Sequence, residues 1–291
     1  MSFASLLDQN PRPFLKWAGG KRRLLSHIVP QLGLIEGTYY EPFLGAGAVF
    51  LSIPSEVPRV AGDINAELVN TWQIVRDEPH LLIEKLREIK TDKETFLEMR
   101  ALDRSAEWLE ESSNVDKAAR TVYLNMTAYN GMFRVNSRGE FNVPFAGRTN
   151  PHVNEENLLR VSHSLNTRDR NNELPVIEHS NYKDMIQGAS RGDVVYLDPP
   201  YAPVSSSSTF VGYSKEGFGE RDQIELRDNC IALMKRGVRV LTSNSDSELV
   251  RNLYSESDGF HIFGLQISRS VAASGNSRAP IQELLIVGAL K

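Results

Sequence analysis

In VVYLDPPYAP (194–203), an apolar, β-branched run meets a carboxylate, two prolines and a tyrosine. Proline donates no backbone hydrogen bond and is confined to the margins of a sheet. The run therefore reads as a buried strand that stops abruptly at Pro199 and Pro200. A rigid turn capped by Asp198 accounts for the prolines. It leaves unexplained why an acid and an aromatic ring bracket them.

The rest of the chain alternates in the manner of an α/β protein. TYYEPFLGAGAVFL (38–51) reads as strand, glycine-rich turn and helix; RVAGDINAELVNTW (59–72) reads as a second strand followed by a helix. From about 66 to 129 the apolar spacing becomes helical, through LLIEKLREI, TFLEMRALD and AARTVYLNMTAYN. GMFRVNSRGEFNVPF (131–145) then predicts two short strands around Asn136-Ser137-Arg138-Gly139, a hairpin signature. NEENLLRVSHSL returns to helix. LPVIEHS, DVVYLDPPY and VRVLTSN read as strands, and RDQIELRDNCIALMKRG as a helix closed by Gly237. GFHIFGLQISRS and PIQELLIVGAL predict an antiparallel hairpin at a sheet edge. The expectation is one α/β domain, interrupted by a helical insert that carries a hairpin: 1–65, then the insert at 66–153, then 154–291.

Composition narrows the classes. With 291 residues, 41% of them apolar and 24% charged, the chain has the make-up of an ordinary globular protein. No apolar run approaches the length of a membrane span, and the N-terminus lacks the pattern of a signal peptide. One cysteine, Cys230, can form neither an internal disulfide nor a zinc cluster. The expectation is a cytoplasmic protein with no bound metal. The net charge of −4 hides a segregation. Arg12, Lys16, Lys21, Arg22 and Arg23 have no acid among them, whereas DRSAEWLEESSNVD (103–116) is strongly acidic.

Ligands in open α/β sheets bind beyond the carboxyl ends of the strands. Gly45 and Gly47 stand at the first such end, where missing side chains let a ligand approach backbone N–H groups. Asp63 ends the second strand, where a carboxylate suits paired ribose hydroxyls. DPPY ends a third. An exocyclic amine such as adenine N6 is a poor nucleophile, because its lone pair is delocalised into the ring. Asp198 and the Pro199 carbonyl can each accept one N–H bond from it, with Pro199 and Pro200 locking the acceptors in place. Tyr201 offers a face to a base taken out of the duplex.

Taken in order, FLKWAGGKRRLL, EPFLGAGAVFL, GDIN, NGMFRVNSRGEFNVPF and YLDPPYAP resemble the Dam-type DNA adenine-N6 methyltransferases over nearly the whole chain. The resemblance implies an α/β class I methyltransferase fold: a Rossmann-like mixed sheet with an inserted helical DNA-recognition domain carrying a β-hairpin. It implies S-adenosyl-L-methionine as cofactor, with Trp17, Lys21, Glu41, Phe43, Gly45, Gly47, Asp63 and Asp198 around it. It implies double-stranded DNA as partner and adenine within GATC as target. Arg134 matches an arginine that reads guanine, and Lys16 a lysine at the outer guanine. Tyr129 and Asn130 match residues beside the target pair, and Met132 and Pro144 match positions touching a thymine. Met132 stands where some members carry leucine. Asn136 of the same hairpin is implied to bind DNA with them.

Plainer readings accompany these. Trp17 also suits core packing, Arg134 and Arg138 suit an ordinary hairpin edge, and Cys230 suits a helix core. SRSVAASGNSR (268–278) suits a solvated loop as well as a phosphate clamp, and SSSST (205–209) suits a loop. Cytosine-N4 methylation uses the same chemistry, although such enzymes more often carry Ser in place of Asp198. A DNA-binding protein of the same fold without turnover is the reading from another class. Oligomeric state is left open, a monomer included.

Overall fold

The computed structural model describes residues 11–147, 153–203, 218–267 and 281–289. Both SSSST and SRSVAASGNSR, with the phosphate clamp considered for the latter, lie outside the described residues. The strands are β1 (Tyr39–Glu41), β2 (Arg59–Asp63), β3 (Val176–His179), β4 (Val194–Leu197), β5 (Arg239–Ser245), β6 (Phe260–Ile267) and β7 (Ile281–Gly288). They form a seven-stranded mixed sheet, the α/β architecture of the class I methyltransferase fold. The chain divides into two compact units, residues 1–25 with 44–181 and residues 26–43 with 182–291.

Among the described residues, the first unit holds β3-β2 and six α-helices. β2 and β3 run parallel, with Asp63 opposite His179. The helices are α2 (Ala66–Asp77), α3 (Pro79–Glu88), α4 (Lys93–Ala101), α5 (Ala106–Glu111), α6 (Asn114–Thr127) and α7 (Glu155–Leu165); α1 (Leu25–Leu32) precedes them in the chain. Asn65 starts α2 by accepting the Leu68 N–H (3.0 Å), and the helix buries Leu68, Trp72 and Val75 on one face. Ser113 and Asp116 close a capping box on α6, with Ser113 Oγ accepting the Asp116 N–H at 3.1 Å.

The second unit holds the order β1-β4-β5-β7-β6, with α8 (Tyr182–Met185), α9 (Glu220–Lys235) and α10 (Glu248–Leu253). β1, β4 and β5 are parallel, whereas β7 lies antiparallel between β5 and β6. All four residues of β4 are buried, as an apolar strand covered on both faces must be. α9 ends where Gly237 takes φ +82°, the left-handed turn that glycine adopts at little cost. No described helix is long and apolar enough to cross a membrane.

Two local expectations need correction. No α-helix follows EPFLGAG; the chain makes only a 3₁₀ turn, Phe50–Ser52. Pro54 is the reason, because the residue before a proline is driven out of the helical region, and Ile53 is extended at φ −74°, ψ 130°. The 131–145 hairpin is not built from two regular strands either. It holds together through two isolated antiparallel bridges, Val135 with Phe141 and Ala128 with Phe145.

That hairpin is tied to the helices by a buried charge cluster. Arg120 of α6 has Nη2 at 2.7 Å from Asp103 Oδ2 and Nη1 at 3.3 Å from Glu67 Oε2, while Nε donates to the Met99 carbonyl (2.8 Å). Asp103 Oδ2 also accepts the Phe141 N–H of the hairpin (2.6 Å). Removing one member of a buried pair leaves an uncompensated charge. Arg120→Leu is therefore expected to lower stability by about 3–5 kcal/mol, read from the urea midpoint. Adding Asp103→Leu to it is expected to recover part of that loss. A shift of less than about 1 kcal/mol, the scale of a surface pair, would mean that the cluster does not hold this region.

Candidate active site

In the first unit the glycine turn and Asp63 form one structure. Gly45 and Gly47 have φ +48° and +65°, a region that L side chains avoid. A Cβ on Gly45 would lie 2.9 Å from Trp17 Cδ1, and one on Gly47 would lie 2.5 Å from the Trp72 ring. The Gly45 N–H donates to Asp63 Oδ2 (3.1 Å), the Asn65 N–H donates to Asp63 Oδ1 (3.0 Å), and Trp72 Nε1 donates to the Gly45 carbonyl (3.1 Å). Burial raises the Asp63 pKa; the backbone N–H groups of Gly45, Asn65 and Ile64, then His179, oppose that rise. Lys21 is buried, and its Nζ donates to the Gly19 carbonyl (2.5 Å).

Trp17 also stacks on Phe133 of the hairpin, with ring centroids 5.1 Å apart and planes 22° apart. This joins the KWAGGK segment to the hairpin inside one unit. Asn125 of α6 makes the same connection in backbone terms. Its Oδ1 accepts the Lys16 N–H (2.8 Å), and its Nδ2 donates to the carbonyls of Lys16 (2.7 Å) and Gly131 (2.9 Å). Neither Phe133 nor Asn125 was anticipated. Asn125 lies inside a helical run, where nothing local distinguishes it from a surface amide.

The hairpin presents Tyr129 (51% exposed), Met132, Arg134 and Pro144 to solvent, and Lys16 is exposed beside them in the same unit. The Tyr129 N–H donates to the Pro144 carbonyl (2.9 Å), which places these two together. Asn130 takes φ +55° and is also exposed. Arg134 Nε donates to Asn142 Oδ1 (2.8 Å); its Nη1 and Nη2 have no partner among the described residues. Asn136 is spent on the turn. Its Oδ1 accepts the N–H groups of Arg138 (2.9 Å) and Glu140 (3.1 Å), and its Nδ2 donates to Glu140 Oε2 (2.7 Å).

In the second unit, β1 and β4 lie side by side, with Tyr39 opposite Val194, although β2 and β3 come between them in the chain. Such a place in an open sheet is where ligands bind. Glu41 ends β1, buried, and accepts the Tyr39 hydroxyl (2.5 Å). Phe43 follows and stacks on Tyr182, with centroids 5.2 Å apart and planes 27° apart. Asp198, half-buried, and Pro199, buried, follow β4 directly. The next residues are clamped from outside. Gln223 Nε2 donates to the Pro200 carbonyl (2.9 Å), and Asn244 Nδ2 donates to Gln223 Oε1 (2.9 Å). The Ala202 N–H donates to Asn244 Oδ1 (3.2 Å), and Ser245 Oγ donates to the Ala202 carbonyl (2.5 Å). The Tyr201 hydroxyl donates to Glu283 of β7. Burial, then the charges of Asp198 and Glu283, push the Tyr201 pKa well above the ordinary tyrosine value, so the hydroxyl stays a neutral donor.

Gln223, Asn244, Ser245 and Glu283 had not been singled out from the sequence. The one local signal is Glu283, an acid inside the apolar run ELLIVG. Among the described residues, no group of three or more acids, histidines or cysteines could hold a metal ion.

Comparison with known proteins gives the same assignment. The family model for the D12 class N6 adenine-specific DNA methyltransferases matches residues 17–270. The chain is 37% identical over 280 residues to Type II methyltransferase M1.LlaDCHI of Lactococcus lactis subsp. cremoris, covering 95% of each chain. It is 35% identical over 297 residues to Type II methyltransferase M.MjaIII of Methanocaldococcus jannaschii, covering 95% of this chain and 98% of that one. It is 34% identical over 275 residues to the DNA adenine methylase of Escherichia coli strain K12, covering 94% of each. The match selects adenine over cytosine-N4 and an enzyme over a silent binding protein. With a strand-end carboxylate, a glycine turn and a clamped DPPY loop in place, this chain belongs to the D12 class of N6 adenine-specific DNA methyltransferases, a family that in general draws its methyl group from S-adenosylmethionine.

Proposed function

We propose that this enzyme methylates the adenine of GATC in duplex DNA, with DPPY as its catalytic loop and S-adenosylmethionine held by Trp17, Lys21, Glu41, Phe43, the Gly45–Gly47 turn, Asp63 and Asp198. The observation that carries the reading is the DPPY loop itself. It follows a fully buried strand, and every clamp named above falls on Pro200, Tyr201 or Ala202. Asp198 and the Pro199 carbonyl come just before the clamped residues. They are acceptors placed in advance, which is what stabilises charge developing on an amine.

The cofactor, when bound, supplies a methyl group on a sulfonium sulfur. The residues present suit it. Asp63 already accepts two backbone N–H groups, yet two carboxylate oxygens offer about four acceptor sites, so capacity remains for ribose hydroxyls. Asp198 and Pro199 each take one N6–H bond and draw the lone pair back onto nitrogen. The bound cofactor would supply the methyl group, its carbon–sulfur bond breaking as N6 bonds to the carbon, and the N6 proton held at Asp198 would leave to water. Tyr201 holds the base that has been taken out of the stack.

The hairpin supplies sequence readout on this view. Arg134 Nη1 and Nη2 are two donors for guanine O6 and N7. Met132 and Pro144 meet a thymine methyl, Lys16 the outer guanine, and Tyr129 and Asn130 the target pair. Asn136 contributes by shaping the hairpin tip. Residues 66–153 act as the recognition insert between the catalytic parts 1–65 and 154–291. Cytoplasmic placement belongs to the same reading.

Labelled S-adenosylmethionine with a one-site GATC duplex is expected to yield N6-methyladenine, and none with GTTC in its place; equal labelling of both would discard GATC. Asp198→Ala is expected to lower transfer by roughly a thousandfold with an unchanged urea midpoint. Near-normal transfer in that variant would remove Asp198 from the chemistry. Arg134→Ala is expected to lose about 1–3 kcal/mol of discrimination at one guanine while binding unrelated DNA almost as before. Equal losses on both duplexes would make Arg134 a phosphate contact.

A further inference from the structure

We propose that Glu283 is a positioning residue for methyl transfer, fixing the plane of the Tyr201 ring through its hydroxyl. The inference rests on the catalytic reading of DPPY given above and deepens it. Glu283 sits on β7 directly opposite Ser245 of β5. These two side chains grip consecutive residues of the loop. Ser245 Oγ donates to the Ala202 carbonyl (2.5 Å), and Glu283 accepts the Tyr201 hydroxyl. The tyrosine is thus restrained beside its backbone and at the far tip of its ring. A tyrosine has two soft side-chain torsions, and a fixed hydroxyl removes the freedom left to them.

The chemistry of the acceptor makes a merely structural role a poor explanation. Glu283 is 6% exposed, in a strand whose following residues Leu284, Leu285, Ile286 and Val287 are buried and apolar. Burying a carboxylate is costly, and an apolar pair of similar volume often holds a core as well or better. What an apolar pair cannot do is orient a ring by its hydroxyl. Tyr201 is only partly buried as a residue, whereas its hydroxyl is held in the interior by Glu283. A hydroxyl donating to a charged acceptor makes a stronger and shorter bond than one donating to a neutral group. It therefore holds the ring against the displacement that an arriving base would cause.

The test compares Tyr201→Phe, Glu283→Ala, Glu283→Gln and the double Tyr201→Phe/Glu283→Ala with the wild-type enzyme and Asp198→Ala. Single-turnover methylation is expected to fall about tenfold in Tyr201→Phe and in Glu283→Ala, the scale of one charge-assisted hydrogen bond. The double variant is expected to be no slower than the slower single, because both remove the same bond. Glu283→Gln still offers an oxygen and is expected to stay within about threefold of wild type, with affinity for S-adenosylmethionine changed by less than about twofold in every variant but Asp198→Ala. With 2-aminopurine at the target position, Glu283→Ala is expected to give brighter emission than wild type, since the flipped base stacks less well.

Losses that multiply in the double variant would overturn the proposal, as would wild-type rates in Glu283→Ala or a loss confined to cofactor affinity. The fluorine resonance of 3-fluorotyrosine at position 201, assigned by its loss in Tyr201→Phe, reads the ring directly. It is expected to move toward its unfolded position in Glu283→Ala and to hold in Glu283→Gln; an unmoved resonance in Glu283→Ala would overturn the proposal whatever the activity. No transfer by wild type on any duplex would instead remove the catalytic reading of DPPY, and the fluorine result would still decide what Glu283 does to the ring.

Discussion

The hydrogen bonds from Gln223, Asn244 and Ser245 to Pro200 and Ala202 answer a problem that the two prolines create. β4 pairs with β1 as far as Val195 and with β5 as far as Leu197. Beyond it Pro199 and Pro200 have no N–H to donate, so the ladder cannot continue and the chain must leave the sheet. A segment without ladder bonds is free to move unless side chains hold it. Gln223 of α9 and Asn244 of β5, both fully buried, take over that task, and each would be costly there without a partner. Asn244 uses its oxygen for two backbone N–H groups and its nitrogen for Gln223. Proline stiffness and a borrowed amide network together hold this loop in place outside the sheet.

The first unit uses the same device for a different purpose. The 131–145 hairpin has only isolated bridges, too few to fix its own shape. Asp103 compensates by accepting the Phe141 N–H while it is paired with Arg120, and Asn125 by tying Gly131 to Lys16. Arg134 is then held by Asn142 across the hairpin. Side chains that recognise a base edge gain specificity only if they cannot swing to a wrong partner. Here Lys16 sits on backbone fixed by Asn125, and the hairpin that carries the other candidate readers is fixed at Gly131 and Phe141 by Asn125 and Asp103.

The sequence made this architecture legible where information was local. The apolar runs of β4 and β5, the helical spacing of α2 to α7, and the closing antiparallel pair β6–β7 follow from periodicity and turn residues alone. DPPY and the glycine turn were legible for the same reason. What was not legible depends on residues far apart in the chain. Gln223 meets Pro200 across 23 positions, and Tyr201 meets Glu283 across 82. The glycine turn also misled, because the local pattern asked for a helix and Pro54 overrode it. Asn136, expected to bind DNA, has its side chain hydrogen-bonded within the hairpin turn, a contact that nothing local in the sequence announces.

A buried polar partner is hard to see in a sequence because its type is ambiguous. An asparagine at the end of β5 or a glutamate within β7 reads as an imperfection of an apolar strand until its acceptor is located. The asymmetry of hydrogen-bond energetics explains why such residues persist. A made bond adds little net stability, whereas an unmade one in the interior costs its full desolvation. Once a loop depends on such a bond, the partner cannot be lost without cost, however weak its net contribution. Three polar interruptions in the second unit, Asn244 and Ser245 of β5 and Glu283 of β7, are explained by what the DPPY loop requires.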